Sequence, residues 1–111
     1  MNGPPSDPIV VFITAANKGE AARLADMLVE RRLAGCVQIL PGLESVYRWQ
    51  GRIERQEEVL LIAKTFSGKF DELSREVAAV HSYETPEIVA VPIVNGSGAY
   101  LEWLMASVHA D

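Results

Sequence analysis

The chain has 111 residues, 49% hydrophobic and 23% charged, with a formal net charge of -5 and a single cysteine. That much apolar surface offsets the entropy of ordering the chain, which excludes intrinsic disorder, and the length suits one domain. Scattered Lys and Arg within a net negative field would repel a phosphate backbone, and a lone Cys36 permits no intrachain disulfide. Nucleic-acid binding and a disulfide scaffold are therefore both excluded, and a reducing compartment, the cytoplasm, is expected.

Residues 1–8, rich in Pro and Gly, read as a flexible tail ahead of one domain at 9–111. They lack the basic start and apolar stretch of a signal peptide, so secretion by that route is not expected. The longest apolar runs are about five residues, against the roughly 18 that span a bilayer, so no membrane segment is expected either.

Ile9-Val10-Val11-Phe12-Ile13 is a β-branched and aromatic run that predicts a buried strand. Asn17 with Glu20 three positions later predicts a helix start of the capping-box kind, and Ala21, Leu24, Ala25 and Leu28 follow at helical spacing. Arg31 and Arg32 suit its last turn, and Gly35 its end. Cys36 to Trp49 and Ile53 to Thr65 predict a long hairpin turning at Gln50-Gly51, with a bulge at Pro41-Gly42.

Ser67 is the expected cap of a second helix carrying Phe70, Leu73, Val77 and Val80, which ends near His81 ahead of Pro86. Glu87 to Val91 predicts a fourth strand. Asn95-Gly96 predicts a turn, and Ser97 caps a final helix with Tyr100, Leu101, Trp103, Leu104 and Val108. The β-α-β-β-α-β order predicts an α+β, ferredoxin-like sandwich with an extra C-terminal helix. The strands are apolar on both parities, so the sheet face away from the helices should also be buried, and a chain this short can bury it only against another copy of itself.

The run Cys-Val-Gln-Ile-Leu-Pro-Gly-Leu-Glu-Ser-Val-Tyr-Arg-Trp at 36–49, with Gln50 to Glu54 and Glu58 to Thr65, resembles the divalent-cation tolerance (CutA) family. So do His81-Ser82-Tyr83-Glu84-Thr85-Pro86-Glu87-Ile88 and Tyr100-Leu101-Glu102-Trp103-Leu104. The resemblance implies a trimer in which long hairpins pair across subunits, an architecture like that of the PII signalling proteins, and a non-enzymatic role in tolerance of copper and other divalent cations. Ser82 departs from it, since family members usually carry Pro there.

Cys36 and His81 are the soft or borderline ligands inside the domain, and thiolate with imidazole favours copper or zinc over magnesium or calcium. They are the expected metal ligands, against the structural alternatives of a buried small side chain and a helix-end residue. Tyr47, Trp49, Lys64, Tyr83 and Glu84 mix aromatic faces with charge and are the expected lining of a ligand cleft between subunits, against plain interface packing. Glu57 and Glu58 point to opposite faces and are expected at the surface. No catalytic set is present and no organic cofactor is implied. The competing functions are a PII-like sensor of a small anionic metabolite near Lys64 and Glu84, and a structural docking platform.

Overall fold

The structure, a computed structural model, describes residues 6–109. The elements follow the expected order: β1 (Pro8–Ala15), α1 (Lys18–Glu30), β2 (Cys36–Trp49), β3 (Arg52–Phe66), a short 3-10 turn (Ser67–Lys69), α2 (Phe70–Val80), β4 (Ile88–Pro92) and α3 (Gly98–Val108). The strands form one sheet in the order β2-β3-β1-β4 with every neighbour antiparallel, which is the ferredoxin-like topology. None of the described helices is long and apolar enough to cross a membrane.

The alternation of each strand decides which side chains meet the helices. Val11 and Ile13 of β1 and Leu61 and Ala63 of β3 are fully buried, and they pack with Leu24 and Leu28 of α1 and Leu73 and Val77 of α2. The opposite parity carries Leu40, Ile62, Phe12, Val89 and Val91, placed side by side by the strand register. Within one chain this face is open, with Leu40 56% and Val89 50% exposed. Only its far end is covered, where Leu104 and Val108 of α3 pack on Phe66.

β1 pairs with β3 only from Val59 to Phe66, so the part of the hairpin from Leu43 to Glu58 projects as a two-stranded arm. The register shifts between Leu40 and Leu43, where Gly42 takes a positive φ of 85°, as the Pro41-Gly42 pair predicts. Gln50 and Gly51 both have positive φ, which is the requirement of a tight two-residue hairpin turn.

Four local expectations are corrected. Ser67 does not cap α2, because the 3-10 turn intervenes; its hydroxyl instead accepts from the Asp7 amide at 3.0 Å. With the Ser67 amide on the Asp7 carbonyl and the Gly68 amide on the Ser6 hydroxyl, residues 6–8 of the expected tail are tied to the body; residues 1–5 lie outside the described residues.

The end of α1 comes earlier than Gly35 suggests. Arg32 itself takes the left-handed conformation (φ 58°), with the Leu33 amide on the Leu28 carbonyl and the Arg32 amide on the Val29 carbonyl. Gly35 serves packing instead, since a Cβ there would lie 2.6 Å from Leu104 Cδ1. Glu58, expected at the surface, is 6% exposed.

Candidate functional site

Asn17 caps α1 by accepting from the Glu20 amide at 2.8 Å, and the Glu20 side chain turns back into the body. Its carboxylate accepts from the Ala16 amide at 2.9 Å, the Ser82 amide at 2.7 Å and the Ser82 hydroxyl at 3.0 Å. Burial opposes ionisation of Glu20. The hydrogen bonds from Ala16 and Ser82, with His81 nearby, outweigh that opposition and hold the carboxyl below its ordinary range. Glu20 thereby pins the loop between α2 and β4 to the end of β1.

His81 belongs to the same anchor. Its ring is fully buried, Nε2 donates to the Thr14 carbonyl at 2.8 Å, and Nδ1 accepts from the Tyr83 amide at 3.0 Å. A carbonyl can only accept, so the proton sits on Nε2 and both ring nitrogens are engaged. Neither has a lone pair free for a metal.

The loop so held delivers Tyr83 to the base of the hairpin arm. Ser45, Tyr47 and Trp49 share one face of β2, and the rungs Leu43–Glu58 and Ser45–Gln56 place Gln56 and Glu58 of β3 on the same face. Tyr47 donates to Gln56 Oε1 (2.8 Å), Gln56 Nε2 donates to the Tyr83 hydroxyl (2.9 Å), and that hydroxyl donates to Glu58 Oε2 (2.7 Å). Ser45 gives its hydroxyl to Glu58 Oε1 at 2.5 Å. Burial, with the hydrogen bond to Glu58 and its charge, pushes the Tyr83 phenol far above its ordinary value and keeps it a donor.

Around this network is a cavity of about 590 Å³, within the usual range for small-molecule sites. Tyr47, Trp49, Tyr83 and Glu84, four of the five side chains expected of a ligand cleft, line it together. Glu58 and Glu87 add two further carboxylates, and Thr14 and Thr85 complete the polar wall. No Lys, Arg or His is among the described residues that line it.

Lys64 is the exception among the expected residues. It pairs with Val10 and Cys36, while the cleft lies at Thr14 and Glu58, and its amine is bonded to Gln38. At the rise of a strand, Lys64 is about 20 Å from Glu58 along β3. Within one chain Lys64 and Glu84 therefore do not meet, and an anionic metabolite held between them would need the Lys64 of another copy.

Nor does one chain bring together the expected metal ligands. Cys36 stands on the rung of Val10, four residues along β1 from the Thr14 carbonyl that holds His81, or about 13 Å in the strand direction. Cys36 lies instead beside Tyr100, whose phenol is raised by burial and by the neighbouring thiol. Among the described residues, no group of three His, Cys, Asp or Glu side chains is placed to hold a metal ion.

Residues 9–107 match the family described as CutA1 divalent ion tolerance protein. The chain belongs to that family. The divalent-cation tolerance protein CutA of Thermus thermophilus is 50% identical over 95 residues, covering 86% of this chain and 92% of the relative. The chloroplastic CutA of Arabidopsis thaliana is 46% identical over 101 residues, which is 91% of this chain and 56% of that protein, so the chain spans little more than half of some CutA relatives. The solved structure of the Thermus thermophilus divalent cation tolerance protein superposes with a TM-score of 0.90 at 46% identity, covering 92% of this chain and 99% of that one.

Sequence reasoning missed Ser45, Gln56, Glu58 and Glu87 as site residues. A usable signal was present in the period-2 run Ser45, Tyr47, Trp49, which puts one face of β2 on the cleft. Glu20 and Ser82 carried none, because their partnership spans 62 residues.

Proposed function

We propose that this CutA protein is a non-enzymatic component of the response to divalent metal ions, copper foremost, and that it acts in the cytoplasm as a homotrimer. The carrying observation is the open apolar face built from Leu40, Ile62, Phe12, Val89 and Val91, which the chain's own helices leave uncovered. A face of this kind on a small protein is buried by association, and closed rings of identical subunits do so economically. Because the described residues of one chain hold no three-ligand group, a bound ion would draw its donors from more than one copy, with the Cys36 thiol the softest donor on that face.

Light scattering and isothermal titration with Cu(II) and Zn(II) test this together. The expected result is a mass three times the 12.2 kDa of the chain and saturable binding that Cys36→Ala weakens. A single-chain mass, or flat titrations on an intact trimer, would overturn it. A second function, sensing a small molecule in the manner of the PII proteins, is favoured by one observation, the 590 Å³ cleft at the base of the arm.

A further inference from the structure

Unlike charges stand at opposite ends of the open sheet face, and neither is matched within its own chain. At the base of the arm Glu58 is 6% exposed, and its oxygens meet the neutral hydroxyls of Ser45 and Tyr83. Glu84 and Glu87 border the same cleft, and none of the described residues lining it carries a positive charge. A carboxylate so far removed from water is ordinarily paired with a cation, because neutral donors hold its charge without cancelling it.

At the other end is Lys64, on the same face of β3 as Ile62 and Glu58 and about 20 Å along the strand from the latter. Its amine donates to the neutral Gln38 carboxamide, its neighbours across the strands are Val10 and Cys36, and among the described residues it joins no ion pair. Strand alternation puts Arg48 and Arg55 on the opposite face of the arm, where Arg55 pairs with Glu44. The strand cations of the open face are therefore Lys64 and, at the tip of the arm, Arg52.

The two ends are joined by the apolar stretch that association of identical copies buries. A face with acid at one end and base at the other is complementary to a second copy of itself. In a closed ring of three each contact is heterologous, so the two ends of one face belong to different contacts, and every copy gives a cation to one neighbour and receives one from the other.

Resting on the trimeric reading above, we propose that the cleft at the base of the arm is completed by a second copy of this chain: Lys64 of the partner subunit seats its ammonium among Glu58, Glu84 and Glu87. Tyr47 and Trp49, which line the same cleft, then offer their rings to its four-carbon stem. The neutral hydroxyls of Ser45 and Tyr83 hold Glu58 ready for a charge that its own chain does not supply.

The test is a double-variant cycle read as the protomer concentration at which the assembly half dissociates, followed by light scattering. The native chain comes first, and a single-chain mass would remove the trimeric reading and this inference with it. On a native trimer, Lys64→Gln and the Glu84→Gln, Glu87→Gln pair should each raise that concentration at least ~10-fold, and the two together little more than either alone. Within one chain Lys64 stands about 20 Å from Glu58, too far for the two sites to couple, so non-additivity reports contact between copies. Lys64→Glu should weaken the assembly further, and Glu84→Lys added to it should recover part of the loss. Arg52→Gln should change nothing. Glu84, Glu87 and Arg52 are exposed within one chain, and circular dichroism on each variant separates lost contact from lost fold. Fold-changes that simply multiply, no recovery on charge exchange, or an Arg52→Gln effect equal to that of Lys64→Gln would overturn the proposal and leave the trimer standing.

Discussion

Replacing Glu20 by Gln changes one atom of a buried anchor, and the geometry sets what that atom does. Oε1 accepts from the Ala16 amide and the Ser82 hydroxyl, and Oε2 from the Ser82 amide. The carboxamide can keep its oxygen at the first position, but its NH2 then faces the Ser82 N–H, donor against donor. The variant loses a charge-assisted hydrogen bond and strands a buried amide, together a loss of about 3 kcal/mol. Ser82→Ala, which removes only the hydroxyl, should cost about 1 kcal/mol.

Urea unfolding at pH 7 and one fixed protomer concentration reads both changes, since the stability of an assembly depends on concentration. The pH dependence supplies a second check. Glu20 is held below its ordinary value of 4.5 in the folded protein, so the unfolded chain takes up a proton first as the solution is acidified. The stabilisation is complete above pH 4.5 and is lost as pH falls through the lower folded value. The gap between the native protein and Glu20→Gln should therefore close in acid. A variant within about 0.5 kcal/mol of the native protein at pH 7, or a gap that widens in acid, would refute the reasoning.

Two other substitutions probe packing. Gly35→Ala places a methyl 2.6 Å from Leu104 Cδ1 and 3.1 Å from Ser107 Cβ, and α3 should loosen at a loss of about 1–3 kcal/mol, read by thermal unfolding. Thr65 is fully buried and its hydroxyl has no partner among the described residues. Thr65→Val keeps the shape and removes the stranded dipole, so the urea midpoint should rise, by about 1 kcal/mol in stability.

The order of strands and helices was legible because hydrophobic period is a local property. The Pro41-Gly42 bulge, the Gln50-Gly51 turn and the Ser97 cap were legible for the same reason, and Ser97 does accept from the Tyr100 amide. Ser67 misled because Asp7, 60 residues earlier, claims its hydroxyl. Glu58 and Lys64 show the same limit within the site. Alternation puts both on one face of β3, but it says nothing about distance along the strand, and only the register with β1 and the arrival of Tyr83 distinguish the cleft end from the Cys36 end. The ring nitrogens of His81 were likewise claimed by the Thr14 carbonyl and the Tyr83 amide, neither of which a residue list can reveal.

The run from Tyr47 through Gln56 and Tyr83 to Glu58 also has a polarity. Its last member has no hydrogen to give, so Tyr83 must point its proton at Glu58 and can receive only from an N–H, which fixes which way round the Gln56 amide sits. Gln56 then offers its oxygen to Tyr47, whose proton is committed in turn. Handed along three side chains, a single buried charge leaves the outermost phenol with nothing but lone pairs to offer. At that oxygen a hydrogen-bond donor is accepted, and a second acceptor is not.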